Sequence, residues 1–495
     1  MDSISGLLYG LSITFQPGNL FFCFLGCFVG TLVGVLPGIG PGGALALLLP
    51  VTFYLPASTA IIMLAGIYYG AMYGGSTTSI LINLPGEAAS VVTCLDGYQM
   101  ARKGRAGPAL GMAAIGSFIA GTLSLFGLLL LAPPFANFAL AFSSPEYVSL
   151  IICGLILVSY LGSGSKIKAF MMAAFGLLIG TIGTDPIEGN ERFTAGIYYL
   201  MDGVGLIPVV MGLFGISEIL LNLEEEEFRS ILKDKIRNLF PTLRDWIDSA
   251  WPILRGTVIG FLIGIIPGGN TVISSTMSYA LEKKLSRYPE KFGTGVIEGV
   301  AGPESANNAG PSGSFIPLLS LGIPTNTTMA LLLASLMIHG VTPGPFLISQ
   351  HPDIFWSVIA SMYVGNVMLL ALNLPLVGLW VQILKIPYAY FFPIIFLFCL
   401  LGSYSIATTV FDIGVMIFFG IVGFLMKKYE YESAPLILAF ILGPMFEEHF
   451  RRSLILSFGS FRIFFERPIS AVFLIVAILL LSFAVVPVFK KRRKG

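Results

Sequence analysis

A succession of apolar runs near twenty residues long, many ended by Gly-Pro or Pro-Gly pairs, limits what this chain can fold into. A helix that crosses a bilayer needs about 20 mostly apolar residues. Runs of that order lie at 18–37, 57–73, 106–132, 146–162, 167–183, 203–222, 251–267, 326–340, 353–380, 386–402, 405–426, 433–447 and 470–489. Shorter apolar pieces fall between them at 44–56, 77–86, 269–281 and 313–323. Their length suits broken or re-entrant helices better than complete spans. The expected fold is an all-α polytopic membrane protein with about 11–13 spans plus re-entrant or broken helices.

Composition enters as support. Charged residues make up 11% of the chain, against about 25% in soluble domains, and the mean hydropathy is +0.87. The lipid bilayer must therefore be the solvent for much of the surface. A net charge of +1 leaves no basic footprint for nucleic acid. Cys23, Cys27, Cys153 and Cys399 sit in apolar runs as small hydrophobes, and His339, His351 and His449 have no metal-ligand spacing. Lys and Arg are absent before the run at 20–36 and no small-residue cleavage site follows it, so that run reads as a permanent span.

Basic residues orient the chain. Placing the C-terminal Lys490, Lys491, Arg492, Arg493 and Lys494 in the cytoplasm puts all but five of the 28 Lys and Arg on that side, as the positive-inside rule prefers. The exceptions are Arg192, Arg451, Arg452, Arg462 and Arg467. Asp96, with Arg102, is expected to anchor a cytoplasmic surface helix.

The polar stretch 223–250 divides the chain into halves that echo each other. Gly34-Val35-Leu36-Pro37-Gly38 matches Gly264-Ile265-Ile266-Pro267-Gly268. Gly74-Gly75 with Asn83-Leu84-Pro85-Gly86 matches Gly313-Ser314 with Gly322-Ile323-Pro324-Thr325. A weaker echo sets 226–230 against 448–453. The loop after the first motif is neutral in half one and basic in half two, and the loop after the second motif swaps. Opposite bias at equivalent loops is what an inverted-topology repeat produces. The expected organisation is a first membrane half at 1–222, a cytoplasmic linker at 223–250, an inverted second half at 251–468, and an added span with a basic tail at 469–495.

Helix breaks at membrane depth are tolerated only in protein or beside a wet cavity, so they point to a site. Helix N-termini attract anions such as carboxylates, and unwound carbonyls suit sodium. The polar residues beside the breaks are uncharged hydroxyls and amides, which can donate to a carboxylate and accept around a cation. The expected substrate site combines Ser76, Thr77, Thr78, Asn83 and Gly86 with Asn307, Asn308, Ser312, Thr325, Asn326 and Thr327. The expected sodium site uses groups at Gly38, Gly40, Gly268, Asn270 and Thr271. Glu87, Glu298, Glu304 and Asp185 are read as acids that can sit at an interface. No zinc motif, phosphate loop or catalytic triad is evident, so the chain does not read as an enzyme and needs no cofactor beyond a coupling sodium ion.

Longer motifs carry a resemblance. Pro37-Gly38-Ile39-Gly40-Pro41-Gly42 and Tyr73-Gly74-Gly75-Ser76-Thr77-Thr78-Ser79-Ile80-Leu81-Ile82-Asn83-Leu84-Pro85-Gly86-Glu87 resemble the large membrane permease subunit of the tripartite tricarboxylate transporter family. So do Leu95-Asp96-Gly97-Tyr98-Gln99-Met100-Ala101-Arg102-Lys103-Gly104-Arg105-Ala106-Gly107, Gly183-Thr184-Asp185-Pro186, and Gly302-Pro303-Glu304-Ser305-Ala306-Asn307-Asn308-Ala309. The likeness covers residues 10–490. It implies a multi-pass subunit of the bacterial inner membrane that works with a small membrane subunit and a periplasmic solute-binding protein. It implies an organic carboxylate substrate, citrate or a dicarboxylate among them, and an ion gradient, commonly sodium, as the driving force. Inverted repeats with paired hairpins point by analogy to an elevator-like carrier. The competing readings are a passive channel or scaffold subunit, which would show unsaturable flux, and an intramembrane enzyme, which would need a reactive set the sequence lacks. Homo-oligomerisation is left open by the sequence.

Overall fold

The computed structural model describes residues 2–36, 38–162, 164–185, 187–224, 238–386 and 390–492. Pro37, Pro186, the segment 226–230, and Arg493 and Lys494 lie outside the described residues. The first half comprises α1 (Ser3–Thr14), α2 (Pro17–Val35), α3 (Gly40–Thr52), α4 (Ala57–Ile82), α5 (Val91–Met100), α6 (Ala106–Ala139), α7 (Ser144–Leu161), α8 (Lys166–Gly180), α9 (Leu206–Val210) and α10 (Ser217–Glu224). The second comprises α11 (Leu243–Ile265), α12 (Thr271–Leu285), α13 (Glu298–Leu321), α14 (Thr327–Ile338), α15 (Leu347–Gln350), α16 (Pro352–Asn373), α17 (Val377–Ile383), α18 (Phe391–Ala407), α19 (Val410–Lys428), α20 (Ser433–Leu456), α21 (Ile463–Glu466) and α22 (Pro468–Arg492). Among the described residues the departure from helix is one short antiparallel pair, Gly183–Thr184 with Glu191–Arg192.

The chain is an all-α polytopic membrane protein. Among the described residues, seven helical stretches are both long and apolar enough to cross a bilayer, fewer than the 11–13 expected. The shortfall has a physical source. Several apolar runs fold as shorter helices, such as α14 with 12 residues. Others, such as α13, are long but carry Asn, Ser and Glu that only a protein interior can accommodate.

Two helix pairs form the centre, and glycine sets their distance. On α2, a Cβ added at Gly26, Gly30 or Gly34 would lie 2.2, 2.4 or 2.3 Å from the carbonyl oxygens of Met63, Ile67 and Ala71 on α4. On α11, the same addition at Gly256, Gly260 or Gly264 would lie 2.2, 2.2 or 2.1 Å from those of Gly302, Ala306 and Gly310 on α13. Small residues every fourth position let backbones touch in the way membrane helices favour, where lipid supplies no hydrophobic drive between them. The remaining faces of α4 and α13 are covered by neighbours, so both are buried nearly all round.

This corrects one expectation. The pieces 77–86 and 313–323 are not separate short helices. Residues 77–82 continue α4 and 313–321 continue α13. The other two short pieces are short helices, α3 and α12, of 13 and 15 residues. The breaks therefore lie between α2 and α3, where Leu36, Gly38 and Ile39 are described, and at 83–87, 266–270 and 322–326.

The basic residues that disobey the charge rule are mostly neutralised on the spot. Arg451 pairs with Asp185 at 2.8 Å and Glu447 at 2.8 Å, Arg192 with Glu447 at 2.7 Å, Arg452 with Glu448 at 2.6 Å, and Arg467 with Glu146 at 2.5 Å. Asp185 also accepts the Ile187 and Glu188 amides, and these bonds, with Arg451, hold its carboxyl down at about 2. Asp96 departs from its expected role. It is fully buried and accepts the amides of Gly293, Gly295 and Val296 and the Tyr279 hydroxyl, tying α5 to the approach to α13.

Candidate binding site between the four helix breaks

Each half makes its breaks with the same local devices. After α2 the chain turns at Gly38 with φ +106°, and after α11 at Gly268 with φ +80°. After α4 it turns at Asn83 with φ 60°, and after α13 at Gly322 with φ 69°. Positive φ is cheap for Gly and tolerated by Asn, which is why these residue types stand there. A proline follows two residues later in both cases, Pro85 and Pro324, and prevents the helix from resuming at once. The next helix starts on a capping side chain. Glu87 accepts the Ala89 amide at 2.8 Å, and Asn326 accepts the Met329 amide at 3.0 Å. Asn270 caps α12 by accepting the Ile273 amide at 2.9 Å.

The starts of the following helices converge on one cavity of about 210 Å³. Pro41 at the start of α3, Glu87 and Ala88 before α5, Asn270 and Thr271 at the start of α12, and Thr325, Asn326 and Thr327 at the start of α14 all line it. Tyr68 of α4 completes the polar wall, and Gly162 and Glu432 border it from the connections after α7 and before α20. Free N–H groups at helix starts make such a place attractive to an anion. Among the described residues no Lys, Arg or His lines it, whereas Glu87 and Glu432 do. The Asn326 amide reaches the Tyr68 hydroxyl only at 3.4 Å and the Thr325 hydroxyl only at 3.4 Å, so its donors have capacity to spare.

The expected site residues divide into two groups. Gly268, Asn270, Thr271, Thr325, Asn326 and Thr327 are brought together at the cavity. The others form a polar seam behind it or serve the breaks. Ser76 donates to Glu304 at 2.6 Å, and Asn307 donates to Glu87 at 2.9 Å. Asn308 donates to Ser117 at 2.7 Å, and Ser312 bonds Tyr69 at 2.5 Å. Thr78 donates to the Val35 carbonyl at 2.7 Å, holding α4 against the end of α2. Thr77 borders a separate small void. Gly86 packs where a Cβ would meet the Gly34 carbonyl at 2.0 Å. Asn83 is exposed and away from the cavity, and Gly38 backs onto Glu218 rather than the cavity, while the space around Gly40 is open.

Sequence reasoning underweighted the acids. Glu87 is 5% exposed and Glu304 is 0% exposed, so neither sits at an interface. Glu304 accepts from Ser76 and Thr93, and among the described residues neither acid has an ion pair. An ionisable group held inside a membrane protein at such cost is a functional candidate by default. The signal was present in the composition: Glu304 lies in the first third of a helix rich in Gly, Pro, Ser and Asn that no lipid-facing segment would tolerate.

A larger cavity of about 860 Å³ lies at the other end of α14, lined by Met337 and Ile338 with Thr184, Arg192, Asp412 and Glu447. Comparison with known proteins adds identity to this geometry. The model of the tripartite tricarboxylate transporter TctA family matches residues 20–438. An uncharacterised 52.8 kDa protein of Agrobacterium vitis, from the TAR-I ttuC' 3' region, is 50% identical over 493 residues, covering 100% of this chain and 98% of that one. An uncharacterised protein from the TAR-II ttuC' 3' region of the same organism is 48% identical over 234 residues, 47% of this chain and 97% of that one. No solved structure matches.

Proposed function

The chain belongs to the tripartite tricarboxylate transporter TctA family, a family of transporters rather than enzymes, and from that premise we propose that it imports a small organic carboxylate across the bacterial inner membrane, driven by an ion gradient. Its partners are a small membrane subunit and a periplasmic solute-binding protein that delivers the substrate. The observation that carries the reading is the cavity where helix starts from both halves meet. Its volume lies below the roughly 300–1,000 Å³ of drug-sized sites, in keeping with a tri- or dicarboxylate. Donors from Thr271, Asn326 and Thr327 and the helix starts take the substrate carboxylates, with Ser76, Thr77, Thr78, Asn83, Gly86, Thr325, Asn307, Asn308 and Ser312 as supporting or later contacts.

The same lining supports ion coupling. An anion entering a chamber that already holds the buried Glu87, with no Lys, Arg or His among the described residues that line it, is best accommodated together with a cation. Sodium held by groups at Gly268, Asn270 and Thr271, which line the cavity, is the coupling ion in this reading, without Gly38 and Gly40, which do not reach it. The halves at 1–222 and 251–468 act as an inverted repeat, with 223–250 as a cytoplasmic linker and 469–495 as an added span with a cytoplasmic C-terminus. The cavity borders the side that carries Lys166, Lys168, Lys427 and Lys428, which makes this conformation inward-facing. The larger cavity beyond α14 is then the outer vestibule, and an elevator-like shift of the break-bearing segments exchanges access between the two.

Uptake into proteoliposomes holding both membrane subunits, with the binding protein outside, tests this. Thr271→Val with Asn326→Leu is expected to abolish saturable uptake while the protein still assembles. Uptake unchanged in that variant would overturn the site. Flux that neither saturates nor follows any ion gradient would return the passive-channel reading.

A further inference from the structure

Between α4, α6 and α16 lies a small void of about 10 Å³. That is the room of a single water-sized occupant. One wall is apolar, from α6. The other is formed by residues that carry side-chain oxygens: Tyr73, Ser76, Thr77 and Asn373. Three observations bear on what fills it. First, Asn373 is 6% exposed and its Oδ1 has no hydrogen-bond partner. Its Nδ2 donates to the Leu369 carbonyl at 2.9 Å and approaches the Thr31 hydroxyl at 3.5 Å, which fixes the amide and leaves the oxygen an unmet acceptor on a residue of the void's wall. A buried acceptor without a partner costs about 1–3 kcal/mol, so an occupant is expected. Second, the Tyr73 hydroxyl donates to Asn366 at 2.7 Å, so its own oxygen keeps its lone pairs for an electron-poor neighbour. Third, Ser76 gives its proton to Glu304 at 2.6 Å and so also presents lone pairs to the void.

The charge balance points the same way. Glu304 is fully buried, its partners are the hydroxyls of Ser76 and Thr93, and no described Lys, Arg or His pairs with it. The other acid nearby is Glu87, reached through Asn307. A void faced by unmet oxygens and backed by an uncompensated carboxylate is suited to a cation. Its immediate oxygens are all neutral and the single carboxylate stands one hydroxyl away. A divalent ion demands direct carboxylates or several retained waters, and neither fits a one-occupant void with neutral walls.

We propose that this void binds one sodium-sized monovalent cation, held by oxygens of Tyr73, Ser76, Thr77 and Asn373, with Glu304 balancing its charge through Ser76. It is a second cation position, distinct from the one at the helix breaks, and it sits on the same helix turn that links α4 to the buried acid. Its role as a coupling ion rests on the carboxylate-import reading; its existence does not.

Thermal unfolding of the purified protein in detergent, with no substrate, tests the binding alone. Sodium chloride replaces choline chloride at constant ionic strength, with potassium chloride as a parallel series. The wild type is expected to show a saturable rise in Tm specific to sodium. Thr77→Val and Asn373→Leu are each expected to raise the sodium concentration for half the effect at least tenfold, as is Glu304→Gln. Thr77→Ser, which keeps the hydroxyl, is expected to retain the response and serves if a larger change prevents folding. Equal Tm in sodium, potassium and choline would overturn the proposal and assign the void to water. A sodium response of wild-type strength in Thr77→Val would overturn it as well. A sodium response lost in these variants, in a protein that takes up no carboxylate, would support this site and overturn the preceding reading.

Discussion

The two break-bearing regions are built alike and finished differently. Both end a long buried helix on a left-handed residue, pass a proline, and restart on a side-chain cap that lines the shared cavity. Four residues past Asn83 the first region caps with Glu87, and four residues past Gly322 the second caps with Asn326. As caps the two are equivalent, since a carboxylate and an amide oxygen both accept an N–H. As walls of a binding site they are opposites, because one brings a negative charge and the other spare donors. The common architecture is what folding requires; the difference is where the chemistry lies. On this reading the second region takes the substrate carboxylate and the first keeps a cation beside it.

The largest expected effect comes from erasing that difference. Glu87→Asn keeps a capping oxygen and removes the charge, so the fold should survive. Initial uptake in proteoliposomes is expected to fall about hundredfold or more, as befits an acid kept inside a membrane at high cost. Uptake near the wild-type rate would make the asymmetry purely architectural.

The converse change is expected to act on affinity. Asn326→Asp also keeps the cap, but it exchanges the amide donors for a second carboxylate on the wall that receives the anion. Juxtaposed like charges away from water cost several kcal/mol, so KM should rise about tenfold to hundredfold, with little change in Tm. An unchanged KM would move the substrate off the second region.

How much of this was legible in the sequence follows the same division. Backbone devices were readable, because Gly-x-x-Pro-Gly and Asn-Leu-Pro-Gly announce turns through steric rules that hold in any environment. The family could be read from long motifs. The extent of α4 and α13 could not, because Gly74-Gly75 and Pro311 look like breaks in isolation and are carried through only by packing on all sides. Nor could the inwardness of Glu87 and Glu304, since an acid beside Gly and Pro reads as an interface residue until its neighbours are placed. Of the expected site residues, those at the starts of α12 and α14 reached the cavity, whereas Gly38 and Gly40 around the start of α3 did not. Those inside long helices, such as Ser312 and Asn308, were drawn instead into helix-to-helix bonds.

The shared architecture makes a prediction of equality. Gly30→Ala and Gly260→Ala place a methyl 2.4 Å and 2.2 Å from a carbonyl oxygen of the partner helix. Each pair must part by roughly an ångström to restore an ordinary C···O contact, at about 1–3 kcal/mol or more by the scale of overpacked cores. The two variants are expected to lower Tm alike. A loss confined to one half would mean that the seams are only superficially equivalent.

The smallest effect is expected at the left-handed residues themselves. Asn83 and Gly322 hold nearly the same φ, but a Cβ at Gly322 would stand 2.7 Å from the Pro343 carbonyl, whereas Asn83 is exposed. Glycine is therefore required at 322 by contact and is merely permitted at 83 by conformation. Asn83→Gly relieves a modest backbone strain and costs some unfolded-state entropy, so stability should move by no more than about 0.5 kcal/mol. Gly322→Asn should destabilise measurably, because the carbonyl must yield. Uptake by Asn83→Gly is expected to match the wild type if this side chain is only a helix end. A tenfold loss of uptake with Tm unchanged would show that the amide touches substrate in the outward-facing state, and the first region would then contribute a donor as well as an acid.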